Sequence, residues 1–468
     1  MTMKLDGQRI SKNLFQYVAM FSGGLAIICS GMHYGWPSAS LPKLEGIATN
    51  EEGSWMAVMP LVGAMCGSLC GGLVVDLIGR KKTILLSTFP YFIGWILVAY
   101  AKSVVVILVA RFLAGIGDGF SFSALPIYLG EISDPRIRGS IGSSISVAWI
   151  FGILLANVLG SYLSVTLAAL ISSVLPAVCL ITFIWMPESP YYLLMKENDD
   201  EARKSMEIFH GKGNIENELE RMAKEVKEHN ASNGRWVDLF LVPSNRRALI
   251  VMLGTRGFQQ LTGTTAITFY AYTIFDNASS LVSPSVASII YFTVQVIFCV
   301  ICSMIVDRTG RRPLMIISII GSCIALFIEG TYFFLKDETN INVDDFSLVP
   351  VIALVLFVVM FSVGMQGVPI LLLSELFPTD VKGFAVCFAD IYFSALAATV
   401  SKCFQITKDH FGLCVPFFAF TGCCIVGLVF IIYNVPETTG KTLEEIQEGF
   451  RSEEVEDFRE RYKENEEL

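Results

Sequence analysis

Apolar runs long enough to cross a lipid bilayer recur along the chain, separated by short breaks rich in charged and turn-forming residues. About 20 apolar residues in a helix span the hydrocarbon core. The pattern therefore predicts an all-α membrane protein with twelve spans. The first six lie near residues 15–41, 54–76, 83–101, 103–130, 140–161 and 164–186. The second six lie near residues 248–275, 284–306, 313–335, 348–376, 383–406 and 412–435.

A polar stretch separates the two sets of spans. It contains KENDDEARKSMEIF and NIENELERMAKEVKEHN, which are charged and favour helix. We interpret it as a short soluble helical domain, with a disordered linker as the alternative. The predicted organisation is an N-terminus at 1–14, a six-helix bundle at 15–186, the helical linker domain at 187–247, a second six-helix bundle at 248–435 and an acidic tail at 436–468.

Charge predicts how the chain sits in the membrane. Only 16% of the residues are charged, against about 25% in soluble domains. Lys and Arg concentrate in loops that share one side if the spans alternate, and such loops are cytoplasmic in most membrane proteins. We therefore expect both termini and the linker domain in the cytoplasm. Asn277 then begins a glycosylation sequon (Asn-Ala-Ser) on the outside.

Three short motifs recur in the same order in both halves of the chain. DLIGRKK, from Asp76, is matched by DRTGRRP, from Asp307. Glu131 in GEISDPRIRG is matched by Glu375 in SELFPTDVKG, and PES after the sixth span is matched by PET after the twelfth. The repeat predicts two six-helix bundles related as parallel repeats. Such an arrangement suits alternating access, with a binding site between the halves.

The charged residues of these motifs fall at predicted helix ends on one face, where they can form charge-assisted hydrogen bonds. We predict that these bonds hold one side of the molecule closed and break when it opens. The alternative is that the arginines only set topology and bind lipid headgroups. The predicted gating residues are Asp76, Arg80, Glu131, Arg138, Asp307, Arg311, Glu375 and Lys382.

Taken together, the motifs resemble those of the sugar porter family of the major facilitator superfamily, and most closely its animal facilitative carriers, including the trehalose facilitator type. The resemblance covers nearly the whole chain. It implies the twelve-helix fold of that superfamily, a plasma-membrane location and facilitative transport (uniport) of a hexose or a trehalose-like disaccharide. The segments that carry it are DLIGRKK, RFLAGIG, PIYLGEISDPRIRG, PESPYYL, QQLTG, DRTGRRP, the segment from Glu375 to Gly383, and PETTGKTLEEI.

The resemblance also implies a substrate site. It places Gln259 and Gln260 of the seventh span against sugar hydroxyls, and a primary amide offers both donors and an acceptor for that purpose. The alternative is that these amides bond a neighbouring helix, since an unpaired amide in hydrocarbon costs several kcal/mol. The predicted substrate-binding residues are Gln259, Gln260, Thr265, Gln295, Gln366, Ser146, Tyr270, Ile370 and Phe393.

Several of these positions depart from the family pattern. Thr265 stands where an asparagine is usual, Ile370 where the family has a tryptophan and Ser146 where it has a glutamine. The pair Phe393-Ser394 replaces an Asn-Trp pair. The motifs of the gate persist while the pocket is altered, so a changed or weaker substrate is expected. A non-transporting sugar sensor with the same fold is one alternative.

Acidic residues inside spans are functional candidates. The resemblance to proton-coupled porters would place an acid on the first span, but none occurs between Asn13 and Leu44, which favours passive transport. Asp118 and Asp390 interrupt the fourth and eleventh spans, and a proton symporter that uses Asp118 is the second alternative. Glu329, near the outer end of the ninth span, is expected at the membrane interface.

Other features narrow the functional classes. Gly364, Gly367 and Pro369 predict a bend in the tenth span. The chain carries no Walker loop and no Ser/His/Asp or metal-ligand spacing, so we predict no enzyme activity, no cofactor and no metal site. The expected partners are a small-molecule sugar and the lipid bilayer, with no nucleic acid, and the chain is expected to act as a monomer.

Overall fold

The computed structural model describes residues 14–44, 46–134, 137–211, 215–231, 236–278, 281–339, 346–439 and 445–446. The predicted N-terminal segment up to residue 13 and the acidic tail beyond residue 446 lie outside the described residues. So does Ser279 of the predicted sequon.

Six long helices form the N-terminal half. Each is long and apolar enough to cross a bilayer. The second begins at a capping box, in which Thr49 and Glu52 satisfy each other's backbone N–H groups. The helices are α1 (Leu14–Ser40), α2 (Asn50–Ile78), α3 (Arg80–Ala99), α4 (Val104–Ile132), α5 (Arg138–Tyr162) and α6 (Val165–Phe183).

Short helices occupy the polar stretch that follows: α7 (Pro190–Met195), α8 (Asp199–His210), α9 (Ile215–Ala231) and α10 (Asp238–Leu241). Buried apolar side chains of α7, α8 and α9, among them Leu193, Met206 and Met222, pack into a small core of their own. The described part of this stretch is therefore helical and has a small apolar core.

The C-terminal half contains eight helices among the described residues. They are α11 (Pro243–Leu261), α12 (Thr264–Ala278), α13 (Pro284–Thr309), α14 (Arg311–Glu338), α15 (Val349–Val363), α16 (Val368–Leu376), α17 (Thr379–Phe411) and α18 (Cys414–Asn434). Eight helices make six spans because two spans are broken. The seventh consists of α11 and α12, and the tenth of α15 and α16.

The two breaks have different causes in the sequence. The tenth span stops at Val363 and resumes at Val368, where its two glycines and proline predict a bend. The seventh span is predicted as one helix, but the structure interrupts it at Gly263, whose φ of +82° is left-handed. Polar residues before this break also explain why the seventh span is absent from the eleven stretches that qualify as membrane spans by length and hydropathy among the described residues.

The halves pack through pairs of helices that a repeat would produce. Helix α2 contacts α17, and α5 contacts α13. The first contact joins span two to span eleven, and the second joins span five to span eight. In the repeat, span two is equivalent to span eight and span five to span eleven, so the two contacts are equivalent. The remaining close contact joins α1 to α12, which are also equivalent elements. The chain thus has the predicted all-α membrane fold of two repeated six-span bundles that face each other across an approximate two-fold axis.

One acidic residue is fully enclosed by protein. Glu329, which is expected at the membrane interface, is 0% exposed, and neither carboxyl oxygen has a partner among the described residues. Its helix α14 packs between α15 and α18, so the face that carries Glu329 is covered by protein.

Candidate functional site

A polar cavity lies between the halves, beside both helix breaks. The space open to the centre of a water molecule is about 20 Å³, which is room for about one water. A sugar would therefore fit only after the surrounding helices or side chains move. The lining residues come from both halves and are Tyr34, Trp149, Ile153, Gln259, Gln260, Thr264, Thr265, Thr268, Gln295, Phe361, Gln366 and Phe393.

Gln259 uses its whole amide within the protein. Its Nε2 donates to the backbone carbonyls of Met365 at 2.7 Å and Gln366 at 3.1 Å, which the break in the tenth span leaves free. Its Oε1 accepts a hydrogen bond of 3.1 Å from Arg256 Nη1. Gln259 therefore ties the broken seventh span to the broken tenth span.

Gln260 is arranged differently. Its Oε1 accepts a 2.6 Å hydrogen bond from the Thr265 hydroxyl. Because Thr265 has only one hydroxyl hydrogen, Tyr34 must be the donor in the 2.5 Å bond between Tyr34 Oη and Thr265 Oγ1. These two hydrogen bonds connect Tyr34 in the N-terminal half to Gln260 in the C-terminal half. The Gln260 Nε2 group makes no hydrogen bond with the part of the chain that the structure describes, so it can donate to a ligand.

Two further glutamines that line the cavity have polar atoms without hydrogen bonds among the described residues. Gln295 Nε2 donates to Gln366 Oε1 at 3.3 Å, while Gln295 Oε1 is buried without a partner among the described residues. Over the same residues, Gln366 Nε2 has no hydrogen bond. The cavity thus offers an acceptor at Gln295 and donors at Gln260 and Gln366. That combination matches a hydroxyl, which both donates and accepts.

The structure brings together six of the nine predicted substrate residues. Three lie elsewhere. Tyr270 is buried and stacks on Phe404 with the ring centroids 5.5 Å apart. Ser146 is half-buried on α5 without lining the cavity, and Ile370 on α16 is 42% exposed. The six in the cavity wall are Gln259, Gln260, Thr265, Gln295, Gln366 and Phe393.

Sequence reasoning missed half of the lining residues. The N-terminal half contributes three of them, Tyr34, Trp149 and Ile153, and no motif marks these positions. Thr264 and Thr268 follow Gln260 at four-residue spacing, which was a usable signal. The last of the six, Phe361, lies in an apolar run in which it resembles many core residues.

At one end of the N-terminal half, the first and second repeated motifs meet. Arg80 contacts Glu131 at 3.1 Å and Asp76 at 3.1 Å, and its guanidinium lies 5.3 Å from the centroid of the Tyr192 ring. Glu131 also accepts a hydrogen bond from Ser189 of the PES motif. All three motifs of this half therefore meet in one cluster.

The C-terminal half repeats the arrangement. Arg311 contacts Glu375 at 2.9 Å, and Thr438 of the PET motif donates to Glu375 at 2.5 Å. Thr438 here occupies the place that Ser189 has in the first half. We call the end of the molecule formed by these two clusters the charged end.

A glutamate from each PES or PET motif caps a helix at the charged end. Glu188 accepts from the backbone N–H of Lys81 at 2.9 Å, while Glu437 accepts from those of Arg311 and Arg312 at 3.0 and 3.1 Å. Partial burial raises the pKa of the Glu437 carboxyl, but hydrogen bonds from Thr439 and from these backbone groups outweigh it, and the pKa is lowered. The repeat in the sequence matches the two motifs, but it does not predict that their glutamates cap helices.

The remaining predicted gating residues are less well placed. Arg138 donates to the carbonyl of Ser133 at 3.5 Å and belongs to neither cluster. Lys382, at the start of α17, interacts electrostatically with Glu375. The side chain of Asp307 lies outside the described residues, so its predicted role stays a prediction.

The candidate proton residue is held inside the N-terminal half. Asp118 accepts a 2.8 Å hydrogen bond from Tyr91. Arg111, two turns earlier on α4, is fully buried and donates to the backbone carbonyls of Met56 and His33. Neither residue lines the cavity.

Comparison with known proteins now bears on this site. A family model described as "Sugar (and other) transporter" matches residues 10–450. The facilitated trehalose transporter Tret1 of Anopheles gambiae is 34% identical over 442 residues, covering 92% of this chain and 55% of that protein. The Culex quinquefasciatus Tret1 is also 34% identical, with 92% and 85% covered. The chain thus spans about half the length of the first relative and most of the second.

Solved structures show the same fold. The proton:xylose symporter XylE bound to 6-bromo-6-deoxy-D-glucose superimposes with a TM-score of 0.78 at 21% identity, covering 94% of this chain and 100% of that one. The inward open conformation of the xylose transporter XylE from E. coli gives a TM-score of 0.77 at 22% identity, covering 92% and 99%.

Proposed function

The chain belongs to the sugar transporter family of the major facilitator superfamily, and from this premise we propose that it is a facilitative carrier of a hexose or a trehalose-like disaccharide. Its relatives are transporters, and it is a multi-pass membrane transporter rather than an enzyme. The finer assignment, to passive transport of one of these sugars, rests on the cavity and on the first span.

The observation that carries the proposal is the set of open amide atoms in the cavity. Gln260, Gln295 and Gln366 line one space between the halves. Among the described residues, Gln260 Nε2, Gln295 Oε1 and Gln366 Nε2 make no hydrogen bond, and Gln295 Oε1 is fully buried. A fully buried amide atom left unpaired costs about 1–3 kcal/mol. A hydroxylated solute would recover that energy, and the family of the chain makes a sugar the natural candidate.

Passive transport is supported by what the first span lacks. Helix α1 contains no Asp or Glu, so the first span offers no carboxyl that could exchange a proton with the cavity. The competing function is proton symport through Asp118. Its 2.8 Å hydrogen bond from Tyr91 and its place two turns from the buried Arg111 favour it, but its distance from the cavity wall favours uniport.

The positions at which the halves touch support a proposal about how the substrate site is reached. The polar contacts between them include Tyr34 with Thr265, Tyr272 N with Ser38 Oγ at 3.4 Å, and Lys402 with Ser54 at 2.6 Å. These lie away from the charged end, whose ion-pair clusters each stay within one half. We propose that the carrier works by alternating access, with the charged end and both termini on the cytoplasmic side of the plasma membrane.

Uptake measurements test the proposal. Cells that express the protein are given labelled trehalose or glucose, with Gln260→Ala and the control Gln405→Ala measured beside the wild type, and surface expression quantified in each. Gln405 is buried on α17 outside the cavity. We expect saturable wild-type uptake, a half-saturation concentration raised about fivefold or more in Gln260→Ala, since one hydrogen bond is worth about 1 kcal/mol or more, and little change in the control.

The same assay separates the alternatives. Uptake that is stimulated by external acid, abolished by a protonophore and lost in Asp118→Asn would replace uniport by proton symport. No uptake of either sugar by protein shown to be at the surface would overturn the carrier proposal, and the sensor alternative would then take its place.

A further inference from the structure

Arg256 and Asp390 form an ion pair next to the cavity, and neither residue lines it. Arg256 precedes Gln259 by three residues on α11, and Asp390 precedes Phe393 by three residues on α17. Residues three apart share a helix face, so each charge points the same way as a cavity residue. Both lie about 4.5 Å along their helices from that residue, toward the helix ends that reach the charged end.

The pair is incompletely satisfied. Arg256 Nη2 lies 3.7 Å from Asp390 Oδ1, which is beyond hydrogen-bond distance. Arg256 Nη1 donates to Gln259, and the guanidinium lies over the Phe393 ring at 4.9 Å from its centroid. Arg256 Nε is buried without a partner among the described residues. A guanidinium has five N–H donors, and here most remain uncommitted.

The two side chains differ in exposure. The Arg256 side chain is 7% exposed, while that of Asp390 is 27% exposed. The carboxylate is therefore the more accessible member of the pair. A purely structural ion pair gains most from a short bidentate contact, and this pair does not make one. Its geometry leaves both donors and carboxylate oxygens free for a third molecule.

We propose that Arg256 and Asp390 form a second hydroxyl-binding subsite, one helical turn from the cavity toward the charged end. Two adjacent hydroxyls of a sugar satisfy it together: one accepts from the guanidinium and the other donates to the carboxylate. The inference rests on the proposed function, because a carrier passes its substrate between the cavity and this end. The pair has no net charge and its carboxylate is the more exposed member, so an uncharged polyol fits it better than a sugar acid or sugar phosphate.

Direct contact with Gln259 and Phe393 joins this subsite to the cavity. A disaccharide is longer than a hexose, and could occupy the cavity with one ring and the subsite with the other. The subsite also supplies polar contacts in a pocket where Thr265 and Phe393 stand in the places that asparagines have in the family pattern.

The rival explanation is that the pair only holds α11 against α17, which are in contact. The test is sugar binding to purified full-length protein, with trehalose, glucose and a panel of their single-deoxy analogues, in wild type, Asp390→Asn and Arg256→Lys. Asp409→Asn serves as the control, since Asp409 lies on the same helix, far from the cavity. Thermal stability is measured for every variant.

We expect wild type to lose about fivefold or more in affinity for one or two particular deoxy analogues. Asp390→Asn should bind the parent sugar more weakly and no longer distinguish those analogues, while Asp409→Asn behaves as wild type. Arg256→Lys keeps the positive charge but loses the planar guanidinium, and it should lose the same discrimination. It is the variant that tests the subsite if Asp390→Asn fails to fold.

If the variants lose affinity by the same factor for the parent sugar and for every deoxy analogue, or lose none, the subsite is overturned. The ion pair would then only stabilise the packing of α11 against α17. Weaker binding of a sugar phosphate than of the parent sugar in wild type supports the preference for uncharged substrates, and tighter binding contradicts it. If wild type binds no sugar at all, the proposed function itself has failed. If wild type binds sugar but the variants discriminate among the deoxy analogues as wild type does, only the subsite proposal has failed.

Discussion

At the scale of single residues, two adjacent glutamines of one sequence motif have opposite tasks. Gln259 donates to Met365 and Gln366 and accepts from Arg256, so its amide is consumed within the protein. Gln260 keeps its Nε2 free toward the cavity. Adjacent residues on a helix point about 100° apart, and this difference in direction decides which amide meets the neighbouring helix and which meets a ligand.

The contrast predicts a separation of stability from binding. Gln259→Ala should lower the thermal stability of the purified protein, because it leaves Arg256 Nη1 and two backbone carbonyls without their hydrogen bonds, at about 1–3 kcal/mol each. Gln260→Ala removes a single internal hydrogen bond, the one that Gln260 accepts from Thr265, so it should cost less stability than Gln259→Ala while weakening sugar binding. Thermal unfolding and ligand titration of both variants check this. An equal loss of stability in the two would contradict it.

Glu437 predicts a dependence of stability on acid. Its pKa is lowered in the folded protein, so it stabilises the fold above the ordinary glutamate pKa and that contribution is lost as the pH falls through the folded value. We expect Glu437→Gln to be less stable than wild type at pH 7 by a few tenths to about 1 kcal/mol. The difference should shrink below about pH 4.

Thermal unfolding at pH 7 and at about pH 3, below the ordinary glutamate pKa, measures this difference. Glu220→Gln, at an exposed position of α9, is the control and should match wild type at both values. A Glu437→Gln defect of the same size in acid would show that its carboxylate is not the stabilising group.

At the scale of secondary structure, the two broken spans build the cavity. A helix break releases backbone carbonyls that a continuous helix would bond, and those of Met365 and Gln366 accept from Gln259. The break in the seventh span directs Gln260 and Thr265, on either side of it, toward each other at 2.6 Å. A continuous helix would not give this geometry.

Gly263→Ala should therefore disrupt the seventh span. Its φ of +82° disfavours any side chain, at about 1–3 kcal/mol, and an added Cβ would come 2.2 Å from the Phe420 ring. We expect a clear loss of surface expression and thermal stability. Gly422→Ala, on the helix that carries Phe420, is the matched control, because a Cβ there meets nothing within 4 Å. Normal stability of Gly263→Ala would mean that the break tolerates a side chain.

The sequence predicts elements well and contacts poorly, for reasons that these residues make plain. The apolar runs and the repeat predict two bundles, and the charges of Arg80 and Glu131 predict a cluster, because both signals are periodic or duplicated. The caps at Glu188 and Glu437 depend on how distant segments pack. The same is true of Gln259, since nothing near it in sequence indicates that Arg256 and the tenth span will take up its amide.

The break at Gly263 escapes prediction for another reason. Gly and Thr are common in membrane helices, so LTG in an apolar run does not by itself mark an interruption. In the tenth span, two glycines and a proline within six residues do mark one. The altered pocket positions are visible in the sequence. Which of them still reach the cavity is not, and Ile370 and Ser146 lie outside it.

At the scale of the whole molecule, the two-fold relation of the halves places equivalent elements opposite each other. Helices α1 and α12 meet close to the axis, where Tyr34 reaches Thr265 and Ser38 reaches the backbone of Tyr272. Opening the end opposite the charged end must break these contacts. Opening the charged end need not, because its clusters lie within single halves. In this structure the contacts between α1 and α12 therefore hold the halves together away from the charged end.

This asymmetry predicts the effect of a covalent lock. With Ser38→Cys and Tyr272→Cys together, oxidation should join α1 to α12, since Ser38 Oγ lies 3.4 Å from the Tyr272 backbone nitrogen. Transport should fall to background on oxidation and return on reduction, because alternating access requires this end to open. The single variants are the controls, as the chain has twelve cysteines of its own. Full transport by protein shown to be cross-linked would mean that α1 and α12 can remain together through the cycle, and the gate would then have to lie elsewhere, at Lys402 and Ser54.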